Sequence, residues 1–86
     1  MAVVHFFMKN QGKRPVYWED IDGESQKFWA ASILKQDQKF VLVRKWGRIG
    51  TKGQSMEQVF DDSYDAEKAL DRLIWDKEKK GYEAKF

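Results

Sequence analysis

The sequence lacks cysteine altogether, has one proline and one histidine, and contains no long hydrophobic run. Without cysteine the chain has no disulfide framework, no thiolate metal ligand and no thiol nucleophile. The apolar stretch 2–8 is far too short to span a bilayer, and it has neither a basic leader nor a small-residue cleavage pattern. These absences predict a soluble, cytoplasmic protein that makes no membrane contact.

Catalytic groups are equally scarce. The only histidine, His5, lies in that apolar stretch, where a structural role is commoner than a role as ligand or general base. Asp61 and Asp62 are expected to close a strand, and the acidic residues after them to decorate a helix, so no catalytic or metal-binding constellation can be assembled. We therefore predict no enzyme activity, no cofactor, no metal and no small-molecule substrate.

What is present is a compact set of large side chains. Of 86 residues, 42% are hydrophobic and 15% aromatic, which suits one ordered domain and leaves no room for a second. Four segments are expected to form antiparallel strands, at 16–21, 28–34, 40–46 and 54–60, with a hairpin turn at 35–39 and alternating half-buried residues in the last strand. Residues 1–15 are expected to be an N-terminal arm or an extra strand.

After residue 60 the hydrophobic period changes to that of a helix. A helix is predicted from about Tyr64 to Lys80, with Ser63 as its N-cap and Gly81 ending it. Its apolar stripe consists of Ala66, Ala69, Leu70, Leu73 and Ile74. The fold class is therefore α+β, with a small antiparallel sheet of about four to five strands and one amphipathic helix packed on it.

Charge is unevenly distributed along the chain. Residues 35–55 hold six basic residues and one acidic, residues 56–76 hold two basic and seven acidic, and the whole chain carries +2. The basic block contains the segment KWGRIGTKGQ, residues 45–54, which we call the glycine loop. A run of like charge is often only a solvated face, so its position in the fold has to decide its role.

The glycine loop has two interpretations on chemistry alone. It matches neither G-x-G-x-x-G nor the P-loop, and no helix follows it, so nucleotide-binding folds are disfavoured. Trp46 could stack on a sugar or base, and Arg48 could grip phosphate oxygens, with Lys45 and Lys52 adding charge. Alternatively the loop is a tight hairpin, with Trp46 in the core and Arg48 paired to a carboxylate.

The loop and its surroundings resemble the WGR domain, which takes its name from a Trp-Gly-Arg tripeptide. The match begins at Trp46-Gly47-Arg48 and extends upstream to Gln26-Lys27-Phe28-Trp29 and downstream to the Gly81-Tyr82 pair. It covers about residues 16–82, and we take 16–86 as a WGR-like domain. The chain is similar to short stand-alone WGR proteins of bacteria and to the WGR domain of poly(ADP-ribose) polymerases.

This resemblance implies a non-catalytic module that binds DNA beside a strand break. It implies that Trp46 packs on the sugar-phosphate backbone near a 5′ end, that Gly47 permits close approach, and that Arg48 mixes DNA and interdomain contacts. Gln26, where the polymerases tend to have asparagine, and Tyr82 would lie near the terminal phosphate. The predicted nucleic-acid-binding residues are Trp46, Gly47, Arg48, Lys45, Lys52, Lys27, Gln26 and Tyr82.

Two functions therefore stay open at the level of sequence. The first is nucleic-acid binding, with DNA ends or nicks as the expected partner. The second is a protein-interaction module that uses the glycine loop or the helix face. Trp75 bears on the second, because helical geometry places it about 160° from the centre of the apolar stripe. We predict that Trp75 contacts either the N-terminal arm or a second molecule.

Overall fold

The computed structural model describes residues 16–21 and 26–85. Five strands and one helix follow one another as β1 (Tyr17–Asp20), β2 (Lys27–Gln36), β3 (Lys39–Arg48), β4 (Gln54–Phe60), α1 (Ser63–Lys79) and β5 (Glu83–Ala84). The strands form one sheet in the order β4-β3-β2-β1-β5, and every neighbouring pair is antiparallel. This α+β arrangement, with one helix packed on an antiparallel sheet, confirms the predicted fold class.

The β2–β3 hairpin contains the two longest strands of the sheet. Its ten-residue strands pair without interruption from Lys27 opposite Arg48 to Gln36 opposite Lys39. The register leaves a two-residue turn at 37–38, in which Asp37 has a φ of 58°. Aspartate tolerates this left-handed conformation better than most residues, so the predicted turn is confirmed and its local chemistry is clear.

The core lies between the sheet and α1. Trp18, Trp29, Ala31, Leu42 and Leu70 form a buried cluster, in which the two tryptophan rings lie 5.0 Å apart at 54°. The Trp18 indole N–H donates a hydrogen bond of 3.0 Å to Glu78 on α1, which satisfies its one polar group. The helix therefore crosses the sheet from the end of β4 to β1, and its last turns lie over the two central tryptophans.

The predicted apolar stripe of α1 is confirmed. Leu70 and Ala66 are buried, while Leu73 and Ile74 are half-buried against the same cluster. The prediction of Ser63 as N-cap was wrong, because Ser63 is the first helical residue and Asp62 caps the helix. The Asp62 carboxylate accepts a hydrogen bond of 2.9 Å from the Tyr64 N–H, and its charge also favours the positive end of the helix dipole.

The helix ends in a Schellman motif. Gly81 has a φ of 107°, its N–H bonds to the Glu78 carbonyl at 3.2 Å, and the Tyr82 N–H bonds to the Lys77 carbonyl at 3.1 Å. Gly81 therefore ends the helix as predicted. The same two hydrogen bonds fix where Tyr82 leaves the helix, and β5 follows directly by pairing with β1.

Two expectations about strands differ from the structure. β4 is exposed along its length except at Phe60, where a half-buried alternation was expected; Met56 and Val59 are 50% and 61% exposed. The reason is that β4 is an edge strand and that α1 crosses away from it toward β1. The two-residue strand β5 was not predicted, since a segment that short shows no alternation.

The proposed arm or strand at residues 1–15, with His5, lies outside the described residues. Its boundary with the remaining domain stays a prediction. The same is true of the contact predicted for Trp75: its side chain is 63% exposed, and Lys79 Nζ lies 4.4 Å from the centre of its ring.

Candidate nucleic-acid interface

The glycine loop joins β3 to β4 at one edge of the sheet. Its chain reverses through two hydrogen bonds to the Arg48 carbonyl, from the Thr51 N–H at 3.1 Å and from the Thr51 hydroxyl at 2.7 Å. The Ile49 N–H donates a third bond, of 2.9 Å, to the carbonyl of Gln26. The loop is therefore tied to the start of β2, and Gln26 is held beside Arg48 by the backbone.

Two of the loop glycines are required by the close approach of the backbone to itself. A Cβ on Gly47 would lie 2.7 Å from the Cα of Gly53. A Cβ on Gly53, whose φ is 72°, would overlap the Trp46 carbonyl oxygen and lie 2.9 Å from the Phe28 ring. The space next to Gly47 is thus filled by the loop itself. The packing of the loop therefore requires glycine at position 47 whether or not a ligand binds there.

Trp46 lies on the face of the sheet that carries α1. It pairs in register with Trp29 on one side and Gln54 on the other, and its half-buried ring packs against the core cluster. Part of the indole therefore supports the core while the rest reaches the surface next to the glycine loop. The structure therefore shows Trp46 supporting the core, and its role as a contact surface stays a prediction.

At the open end of the β2–β3 hairpin, two lysines lie near one aromatic ring, and an arginine lies opposite one of them. Lys27 and Arg48 are register partners, and Lys27 Nζ lies 5.9 Å from the centre of the Tyr82 ring. Lys77 Nζ lies 5.5 Å from the same centre. The ion pairs seen between described residues join Lys39 to Asp61 and Lys80 to Asp76, and neither includes one of these three cations. We call Gln26, Lys27, Arg48, Lys77 and Tyr82 the open-end surface.

Lys77 is the member of this surface that sequence reasoning missed. In the structure its ammonium also lies 5.9 Å from the centre of the Trp29 ring. Burial lowers the pKa of Lys77, and the neighbouring positive charge of Lys80 lowers it further. The sequence signal was its position four residues before Gly81, which places it under the aromatic residue that follows the helix.

The two remaining predicted cations lie elsewhere. Lys45 precedes Trp46 on β3, and because strand side chains alternate, it belongs to the face of the sheet opposite α1. Lys52 is exposed at the tip of the glycine loop. The structure thus brings together Gln26, Lys27, Arg48 and Tyr82 next to Trp46, and separates Lys45 from them.

Residues 16–21 and 26–85 contain neither a metal-binding cluster nor a membrane-spanning helix. No group of three or more histidine or carboxylate side chains there could hold a metal ion. Within the same residues, no helix has the length and hydropathy needed to cross a membrane.

Comparison with known proteins gives consistent relatives. The WGR domain family matches residues 14–85. Protein YehF of Escherichia coli is 44% identical over 61 residues, which are 71% of this chain and 21% of YehF. Mouse mono-ADP-ribosyltransferase PARP3 is 31% identical over 64 residues, 74% of this chain and 12% of PARP3.

A Drosophila poly(ADP-ribose) polymerase is 30% identical over 86 aligned residues, which are 94% of this chain and 9% of the polymerase. The chain thus spans about a fifth or less of the length of these relatives. No solved structure matches significantly. Because the family match covers most of the chain and includes the glycine loop, the chain belongs to the WGR domain family.

Proposed function

We propose that this chain is a non-catalytic nucleic-acid-binding module that contacts the DNA sugar-phosphate backbone near a strand end or a nick. The observation that carries the proposal is the open-end surface. Like charges directly opposite each other on neighbouring strands destabilise a sheet, yet Lys27 and Arg48 are register partners with Lys77 close by. A row of phosphates is the partner that turns this repulsion into attraction.

Each group has a role that suits its chemistry. The guanidinium of Arg48 is exposed and can donate two parallel hydrogen bonds to one phosphate. Lys27 and Lys77 present point charges 5.9 Å and 5.5 Å from the centre of the Tyr82 ring, which adds a flat surface for a terminal sugar or base. The exposed part of Trp46 continues that surface toward the glycine loop, where Lys52 adds a further charge.

Sequence-independent binding follows from these contacts. Phosphate and sugar contacts fix the position of a protein on DNA but carry no base information. A module with a few cations should bind at micromolar concentrations or more weakly, and its affinity should fall steeply with salt. The ADP-ribosyl transfer named for two relatives is no part of the proposal, since the chain covers only a small share of either protein.

A fluorescence-anisotropy titration with labelled blunt, nicked and circular DNA at several salt concentrations tests the proposal. Arg48→Gln should weaken binding and lower the salt slope by about 0.9 units, as expected when one phosphate contact is lost. Lys45→Gln is the matched control, because it removes one charge from the same strand on the opposite face. It should leave the slope nearly unchanged.

The comparison with intact circles tests the preference for ends. Tighter binding to blunt or nicked duplex than to circular DNA is expected. If folded wild-type protein shows no salt-dependent binding to any of these DNAs at high micromolar concentration, the proposal is wrong. If Arg48→Gln and Lys45→Gln weakened DNA binding equally, the attraction would be diffuse, and the open-end surface would not be a specific binding site.

A second candidate function, docking to a protein, is favoured by the outer face of α1. Tyr64 and Trp75 are 65% and 63% exposed, and helical geometry places them about 20° apart around the axis and about 16 Å apart along it. Two aromatic residues aligned in this way are unusual on a free surface. Failure of every DNA titration would make this face the leading candidate.

A further inference from the structure

A groove between α1 and strands β3 and β4 lies beside the surfaces described so far. Its volume is about 400 Å³. Its polar lining consists of Arg44, Gln58, Asp65, Lys68 and Arg72, and Ala69 and Leu73 form an apolar wall. Arg44 is two residues before Trp46 on the same face of β3, so their Cα atoms are about 6.6 Å apart.

The groove is positively charged. Three of its side chains are cationic and one, Asp65, is anionic, which leaves two positive charges in excess. The ion pairs seen between described residues do not include Arg44, Lys68 or Arg72. Lys68 instead has its ammonium 5.5 Å from the centre of the Tyr64 ring. An anion that enters the groove would therefore meet three cations, none of which belongs to the ion pairs seen between described residues.

Arg44 gives the groove a specific donor. Its Nε is buried and has no hydrogen-bond partner among the described residues. Its Nη2 lies 2.8 Å from the Met56 sulfur, which is a weak acceptor. Buried N–H groups nearly always have partners, and an unsatisfied donor on a charged group is costly. A negatively charged oxygen in the groove would be a better acceptor for the Arg44 guanidinium than the Met56 sulfur is.

The arrangement favours phosphate over a single carboxylate. Two guanidinium groups offer planar forks of donors, and Lys68 and the Gln58 amide add donors in other directions. A phosphate group has several oxygens to receive them, and its negative charge is opposite in sign to the charge of the groove. We propose that this groove binds a phosphate group. Either a nucleic-acid backbone or a free phosphorylated ligand carries that chemistry.

The proposal does not depend on DNA binding by the open-end surface. Arginine Nε–Hε groups give their own signals in a ¹⁵N–¹H correlation spectrum, so each guanidinium can be followed. The probe is inorganic pyrophosphate, titrated at constant ionic strength. The signals of Arg44 and Arg72 should shift together along one saturating curve.

Two variants and one control make the titration decisive. Arg72→Gln and Lys68→Gln should each weaken pyrophosphate binding roughly five- to tenfold, because each removes a charge-assisted contact. Both residues are exposed on α1, so the domain should stay folded, which circular dichroism checks. Asp65→Asn should tighten binding by removing the one repulsive charge. Lys35→Gln, an exposed lysine on β2 outside the groove, is the control and should leave binding unchanged.

DNA titrations of the same variants identify the source of the phosphate. If Arg72→Gln lowers DNA affinity and the salt slope as well as pyrophosphate binding, the groove takes a backbone phosphate. If it lowers pyrophosphate binding alone, the groove takes a free phosphorylated ligand. Either result supports the proposal. Shifts that affect all the arginine signals alike without saturating, or pyrophosphate binding that Arg72→Gln and Lys68→Gln leave intact, would overturn it, whatever the Arg48 variant does to DNA binding.

Discussion

The two ends of the β2–β3 hairpin both carry cations, but the structure treats these cations differently. At the closed end, Lys39 forms an ion pair with Asp61, which lies just beyond β4. At the open end, Lys27 faces Arg48 across the strands, and Lys77 completes the group around an aromatic ring. The ion pairs seen between described residues include none of the open-end cations.

The difference shows why a count of charges says little about function. Both ends lie in or beside the basic block, and by sequence either could be a solvated face. The closed-end pair is exposed and neutral as a unit, so it exerts little field on a ligand. The open end keeps like charges close together and partly desolvates one of them, which costs stability unless an anion arrives. Pairing, and not charge density, separates the two.

The largest expected effect on stability is in the glycine loop, which lies next to the open end of the hairpin. Gly53→Ala is expected to lower the free energy of unfolding by about 2–5 kcal/mol, from the positive φ together with the overlap with the Trp46 carbonyl. Gly50→Ala is the control, since its φ is 94° but nothing lies within 4 Å of the added Cβ. It should cost only about 1–2 kcal/mol.

Urea denaturation of the two variants measures both effects. Gly53→Ala should also weaken DNA binding more than Gly50→Ala does, because Gly53 packs against the backbone of Trp46. A loss from Gly50→Ala as large as that from Gly53→Ala would mean that backbone strain alone sets the cost. The close packing of the loop would then have no special role.

Lys77→Met should act on stability and binding in opposite directions. Methionine keeps the aliphatic stem and removes a charge that burial disfavours, so the unfolding free energy should rise. DNA affinity should fall, roughly tenfold at low salt, with the salt slope about 0.9 units lower. Lys79→Met, two residues further along α1 and exposed, is the control and should change the slope little. A fall in both stability and affinity would assign Lys77 a structural role.

Most of the fold could be predicted from the sequence because its signals are local. The period of the apolar residues after Ser63 defined the helix, and Gly81 defined its end. A hairpin turn at 35–39 followed from the polar residues between two apolar strands, and the structure narrows it to 37–38 because the strands pair as far as Gln36 and Lys39. The N-cap was misplaced by one residue because Ser63 and Asp62 both have suitable side chains, and only the backbone geometry decides which of them bonds to Tyr64.

The candidate site was less predictable because it depends on contacts between distant segments. Strand alternation could have separated Lys45 from Trp46, but the glycine loop was treated as one unit. Lys77 joins the open-end surface only through the turn that returns Tyr82 toward β2. The groove at Arg44 gave no signal in sequence, since its lining comes from two strands and two turns of α1.

The pKa of Lys77 offers a more sensitive test of the open end. Its folded-state pKa is lowered, so the unfolded chain binds more protons in the window just below the ordinary value of 10.5. The contribution of Lys77 to the free energy of unfolding should therefore rise with pH across that window. The increase in unfolding free energy that Lys77→Met causes should be largest at neutral pH and should shrink as the pH approaches 10.5.

Bound phosphate should reverse the shift, because an anion near the ammonium favours its charged form. A ¹³C NMR titration of the lysine side chains, with and without duplex DNA, would follow the change directly. The pKa of Lys77 should rise on addition of DNA. An unchanged Lys77 pKa in saturated complex would place this lysine outside the contact.

The smallest expected effect is at the closed end, where Lys39 lowers the pKa of Asp61 below its ordinary value of 3.8. Lys39→Gln should return the Asp61 pKa to that value, measured by ¹³C NMR of the carboxyl group. Since the shift is downward, the pair contributes stability above the ordinary pKa and loses it as the pH falls through the folded-state value. Both side chains are exposed, so water and salt screen the pair, and the denaturation midpoint at neutral pH should barely move.

DNA affinity should also stay the same in Lys39→Gln, because a paired cation has little charge to offer. If Lys39→Gln weakened DNA binding as much as Lys77→Met, both ends of the hairpin would contribute to one diffuse positive surface, and the distinction between paired and unpaired cations would fail.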